Sequence, residues 1–178
     1  MLGIRNFTAA ACAAALVAST AFAQVPPADE KNPNEALPEK HTYTPYGETI
    51  KLDMAKKVAE AALAESTKRG WAMCITVVGP TGDLVYFAKM DDCQYGSISI
   101  SQHKARAAAK FRRPTLAFER LLGRGDYFRY LTSLDDVIAS RGGNPIVVGG
   151  KIVGAIGVSG GTGSQDEVIS QAGVAAAK

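Results

Sequence analysis

The chain has 178 residues, with 20 Lys and Arg against 17 Asp and Glu and a formal net charge of +3 at pH 7. That length holds one domain with room for an appendage. A charge so near neutral argues against nucleic acid or an anionic membrane surface as partner, and no stretch is apolar for long enough to make an integral membrane span.

Residues 1–23 carry one early basic residue, Arg5, an Ala-rich apolar run from Thr8 to Val17, and Ala21-Phe22-Ala23 before Gln24. This is the layout of a secretory signal peptide with an A-x-A-like cleavage site. The expected location is therefore periplasmic or secreted, after cleavage near Ala23, and Cys12 is lost with the leader. Residues 24–48 hold Pro26, Pro27, Pro33, Pro38 and Pro45, five of the chain's eight prolines, and no apolar periodicity. They read as an extended arm whose last part drapes over the domain or a neighbouring subunit. His41, in this arm, reads as a solvated side chain.

The domain proper is expected over 49–178. Thr49 to Arg69 has Leu52, Ala55, Ala59, Ala62 and Leu63 at helical spacing, with Gly70 as the terminating glycine. Trp71 to Val78 reads as a buried strand, Gly79 to Asp83 as a turn and Leu84 to Met90 as the return strand. Ser97 to Arg113 is the next helix; Ala105, Ala108 and Ala109 give it a small face for close packing, and Pro114 ends it. Thr115 is placed to cap a short helix, Leu116 to Leu122. Asp126 to Ser140 reads as irregular or short helical structure around Tyr127, Phe128, Tyr130 and Leu131. Ile146-Val147-Val148, Gly149-Gly150 and Lys151 to Val158 form a second hairpin, because glycine tolerates the positive φ of tight hairpin turns. A last helix runs from about Gln165 to Ala176. The order helix, hairpin, helix, helix, hairpin, helix predicts an α+β fold, a single antiparallel sheet of two hairpins with helices packed on it.

Familiar catalytic patterns are missing. Gly154 to Gly160 is not GxGxxG, the glycine loop lacks the GK[ST] of a P-loop, and Ser159 misses the GxSxG elbow by one position. Asp91-Asp92 and Asp135-Asp136 read as turn formers. Neither CxxC nor HExxH is present. An oxidising compartment permits a disulfide between Cys74 and Cys93, but sequence does not supply its geometry. The strand–glycine loop–helix order at Ser159 to Ser164 points backbone N–H groups into one small volume, which reads equally as a place for an anion or as a tight strand-to-helix connection with no ligand. His103 can offer a ring nitrogen to a metal. Lys104, Arg106, Arg112 and Arg113 can pair with ligand carboxylates, and Thr115 has a hydroxyl to offer.

Several segments are familiar together: Val85 to Asp91; Lys104-Ala105-Arg106-Ala107-Ala108 with Phe111-Arg112-Arg113-Pro114-Thr115; Gly142-Gly143-Asn144-Pro145-Ile146; and Gly154 to Gly161 followed by Gln165-Asp166. In order and spacing the run from Leu52 onward resembles the GlcG/HbpS-like haem-binding family (DUF336), a module that also forms the C-terminal part of PduO-type adenosyltransferases. This chain has Met90-Asp91-Asp92-Cys93 where that family usually reads M-D-G-A. The resemblance implies haem as cofactor, with Thr115 or His103 as alternative iron ligands. Lys104, Arg112 and Arg113 would face the propionates, and the Gly157–Gly163 loop, with Gly157 and Gly160, would shape the pocket wall. It also implies a homo-oligomer. The function expected is exported, reversible haem or tetrapyrrole binding for sensing, storage or trafficking. Two alternatives stay open: an enzyme holding a small organic acid or aldehyde at the glycine loop, with Asp166 or Asp91 as base, and a non-catalytic accessory protein of a catabolic pathway.

Overall fold

The computed structural model describes residues 43–178. The leader, Cys12, His41 and the arm up to residue 42 lie outside the described residues. The elements are α1 (Leu52–Arg69), β1 (Cys74–Val78), β2 (Leu84–Lys89), α2 (Gly96–Lys110), α3 (Thr115–Leu122), a 3-10 segment (Asp126–Ser133), β3 (Gly143–Val148), β4 (Lys151–Ser159) and α4 (Gly163–Ala175). The four strands form one antiparallel sheet in the order β2-β1-β4-β3. The α+β expectation holds, and each hairpin forms where glycine allows it. Gly149 and Gly150 sit at φ 56° and 75°, the left-handed pair that matches the twist of the flanking strands.

Helices cover both faces of the sheet. On one face Ile75, Val77, Ile146, Ile156 and Val158 pack against Ala55, Val58, Ala59 and Ala62 of α1 and Ile169 of α4. Full burial of each Ile or Val side chain there is worth about 1.5–3 kcal/mol. On the other face Val78 and Ala155 meet Ala105, Ala108 and Ala109 of α2. Strand β1 is consequently buried at all five positions, which explains its unbroken apolar run.

Alpha-helix α2 lies unusually close to the sheet. A Cβ on Gly157 would stand 2.0 Å from the Ser101 carbonyl oxygen and 2.4 Å from the Ala105 nitrogen. Only a residue without a side chain lets the helix backbone rest on β4 there. The alanine face of α2 and the glycines of β4 are thus two halves of one contact.

Residues 45–50 form a strap that extends the sheet beyond the end of β1. Gly47 N donates to Ile152 O at 2.8 Å, Ile152 N to Pro45 O at 2.8 Å, and Ile50 N to Val153 O at 2.7 Å. A satellite cluster of Phe118, Phe128 and Leu131 closes the corner between α3 and the 3-10 segment.

Candidate ligand-binding site

The glycine loop has an anion, and it belongs to the chain itself. Thr162 caps α4 in a capping box with Gln165: Thr162 N donates to Gln165 Oε1 at 2.8 Å and Gln165 N to Thr162 Oγ1. One residue further on, Asp166 turns inward and its Oδ1 accepts from Gly161 N at 3.0 Å. Its Oδ2 meets Lys104 Nζ at 2.7 Å, and both side chains are almost wholly buried, at 1% and 4% exposure. Burial pushes the Asp166 carboxyl up from its ordinary range, while Lys104 and the Gly161 and Gly160 backbone N–H groups pull it back down. Glu167 does similar work beside it, accepting from Gly142 N at 2.9 Å and Asn144 Nδ2 at 3.3 Å; Asn144 Nδ2 also donates to Ser170 Oγ at 2.7 Å. The N-terminus of α4 is therefore sewn to β3 and α2 by its own carboxylates.

Three expectations are corrected by this interior. Lys104 does not face a propionate: its ammonium is spent on Asp166. Gly157 does not wall a pocket, because α2 lies on it. Gly160 packs against the Ala72 carbonyl and Met73 instead.

Thr115 is corrected as well. It is the first residue of α3, with Pro114 in the capping position and no side-chain cap. Its Oγ1 accepts from Gly143 N at 2.9 Å and reaches Gly143 O at 3.5 Å, and the residue is fully buried. The hydroxyl thus holds β3 to α3 across 28 positions of sequence and is not presented to a ligand. Glu119, a turn later, grips Arg141: Arg141 N donates to Oε2 at 2.8 Å and Nε to Oε1 at 2.8 Å. The Arg141 hydrogen bonds hold the Glu119 carboxyl below its usual value of 4.5. A depressed carboxylate stabilises the fold fully above that unfolded value, and the contribution is lost as pH falls through the lower folded one. Urea unfolding of the wild type and Glu119→Gln should show the wild-type advantage at pH 7 shrinking towards pH 3. An advantage that is constant across that range would contradict the pairing.

An open cleft of about 430 Å³ lies beside this corner, at the edge strand β3. Pro114, Pro145, Val147, Ile152 and Val174 give it apolar walls, and Thr44, Asn144 and Gln171 are polar points on its lining. Arg112 stands at its rim, in a left-handed conformation with φ 57°. The guanidinium lies 4.4 Å from the ring centre of Tyr43 and 4.2 Å from that of Tyr46. Tyr46 Oη in turn donates to Ala109 O at 3.1 Å and Lys110 O at 2.8 Å, capping the end of α2. No carboxylate among the described residues forms an ion pair with Arg112. Its guanidinium is held against two aromatic rings.

The other predicted residues stand apart from the cleft lining. Arg113 is exposed, its Nε donating to Phe111 O at 3.1 Å. His103 is half-buried on α2, where burial first and then Arg106 hold it below the ordinary imidazole range against the pull of Asp136. Asp136 is bound to the same helix, 3.4 Å from Arg106 Nε and 2.5 Å from Lys110 Nζ. The sequence reading expected the end of the arm to drape over the domain, as residues 45–50 do, but gave no role to Tyr43, Tyr46 or the walls from β3 and α4.

A four-stranded antiparallel sheet clad on both faces, with an apolar cleft at its edge that Arg112 helps to line, defines an α+β domain with a candidate ligand site. The chain belongs to the HbpS-like family, described as haem degrading protein HbpS-like, whose model matches residues 50–175. It is 40% identical over 110 residues to Protein GlcG of Escherichia coli K12, covering 62% of this chain and 81% of that one. Klebsiella pneumoniae ORFY superposes with a TM-score of 0.70 at 26% identity, over 80% of this chain and 97% of that one. A PduOC–heme complex superposes with a TM-score of 0.67 at 21% identity, over 72% and 94% of the two chains, and shows the shared fold.

The donor chemistry decides how far haem fits. The apolar walls of the cleft are compatible with an apolar ring, and Arg112 with a carboxylate beside it. Its lining includes no His, Cys or Met, and the Asn144 amide nitrogen is already spent on Ser170 and Glu167. Among the described residues no cluster of three His, Cys, Asp or Glu gathers either. The residues present therefore fit the porphyrin and its carboxylates, and offer the iron no strong ligand from within the cleft.

Proposed function

We propose that this chain is an exported protein that binds haem or a related tetrapyrrole reversibly, as a homo-oligomer, for sensing, storage or trafficking. The observation that carries the reading is Arg112, unpaired with any described carboxylate and clamped between two tyrosines at the mouth of an apolar cleft. The family description and the heme complex of a relative with this fold support the choice of tetrapyrrole over other flat acids. The leader-like residues 1–23 support export. Val147 and Val148, exposed on the edge strand, support a neighbouring copy that would lengthen the cleft wall. Recognition here rests on ring and carboxylates, so the pigment exchanges readily.

Hemin titration should give a saturable Soret shift at one per chain, and metal-free protoporphyrin should bind with comparable affinity. Arg112→Ala should weaken both by about 1.5 kcal/mol or more, at least roughly tenfold in Kd. His103→Ala should leave the Soret spectrum unchanged. Absence of saturation, or indifference to Arg112→Ala, would defeat the reading. For the enzyme alternative, the burial of Asp166 against Lys104 disfavours it as base at the glycine loop, whereas Asp91, the other candidate base, is exposed.

A further inference from the structure

We propose that Cys74 and Cys93 form a disulfide that ties the start of β1 to the loop leading into α2. Their Sγ atoms lie 2.7 Å apart, and both residues are buried and present as thiols. Two sulfurs that are not bonded do not sit so close, whereas a bonded pair sits at about 2.05 Å. A closing movement of less than an ångström completes the bond. Other partners are weak: Cys93 Sγ has only long contacts, 3.8 Å each, to the Gln94 and Ser159 carbonyl oxygens. No third ligand gathers beside the pair among the described residues, which disfavours a shared metal.

The chemistry is thiol–disulfide exchange with a small or protein disulfide as oxidant. The Cys93 thiolate attacks the oxidant's disulfide and expels one thiolate, leaving a mixed disulfide on Cys93. The Cys74 thiolate then attacks Cys93 Sγ and expels the second. Two electrons pass to the oxidant, and the two thiol protons end on its two released thiols. Cys93 is the residue placed to meet the oxidant, since Asp91, Asp92, Gln94 and Tyr95 around it are exposed. Burial, then Cys93, pushes the Cys74 thiol up to about 12, so the second step is favoured when the loop opens or while the chain folds. Once made, the bond is shielded. It fastens the same end of α2 that Ser97 Oγ and Ser159 Oγ join at 2.9 Å. The inference stands on this geometry and is independent of haem.

The test uses the full chain, reduced, freed of reductant and incubated with oxidised glutathione. It is then unfolded, alkylated, digested and mapped by mass spectrometry. A peptide joining Cys74 to Cys93, with neither residue alkylated, is expected. The thermal midpoint should rise on oxidation, and this response should vanish in Cys93→Ser. Full alkylation of both residues, glutathione adducts alone, or a link from either to Cys12 would overturn the proposal. A midpoint blind to redox state would overturn the bond as a structural tie.

Discussion

Lys104→Met is expected to destabilise the protein by about 3–5 kcal/mol, the cost of leaving a buried charge without its partner. Methionine roughly conserves the volume of the lysine stem, so the loss is electrostatic. Asp166 would keep its hydrogen bond from Gly161 N and lose the ammonium at 2.7 Å that offsets its burial. The variant should therefore recover stability as pH is lowered. Burial raises the folded pKa of Asp166 above its unfolded value, and more so without Lys104. Between those two values the native state binds more protons than the unfolded state, so stability falls as pH rises through that window. Lys104→Met/Asp166→Asn removes both charges and should regain most of the loss. Urea unfolding of the three proteins between pH 5 and pH 8 is the measurement. A single variant as stable as wild type at pH 8, or a double variant no better than the single, would show that the pair is not what holds α4 to α2.

Gly157→Ala is the second large effect. The added Cβ would meet helix backbone, the Ser101 carbonyl oxygen at 2.0 Å and the Ala105 nitrogen at 2.4 Å. Backbone cannot rotate aside as a long side chain does. Either α2 lifts from β4 or β4 bows, and the cost should reach the upper end of the overpacking range of about 1–3 kcal/mol. Gly96→Ala is the matched control. Its Cβ would meet nothing within 4 Å, and it should be neutral or stabilising by about 0.4–1 kcal/mol. Because Arg112 lies just past Phe111 at the end of α2, Gly157→Ala should also disturb its seat against Tyr43 and Tyr46. Thermal unfolding and hemin titration of the two variants separate them; equal midpoints would mean that α2 is less tightly seated than its distances require.

The two experiments probe the same construction from opposite sides. Asp166 and Glu167 project inward from the first turns of α4 and bind backbone N–H groups of Gly161 and Gly142. The anion-holding property of a glycine loop before a helix was legible, because it depends on local order alone. That the anion is the chain's own carboxylate was not, since Lys104 lies 62 positions from Asp166. Thr115 shows the same limit. A threonine after a proline reads as a cap, and only its approach to Gly143, 28 residues away, shows it as a strut between α3 and β3.

Sequence alone determined the elements, the hairpins and the family likeness. Apolar period, glycine turns and proline stops act within a few residues, and the small face of Ala105, Ala108 and Ala109 announces a close neighbour without naming it. The tertiary structure decided which face each helix covers, which charges are consumed inside, and where a guest fits. The cleft is assembled from Thr44, Arg112, Pro145 and Val174, positions that chain periodicity cannot relate. Lys104 and Arg112 look alike in the sequence. One is paired inside because folding buries it against Asp166, and the other has no carboxylate partner among the described residues because folding sets it against two tyrosines at the surface.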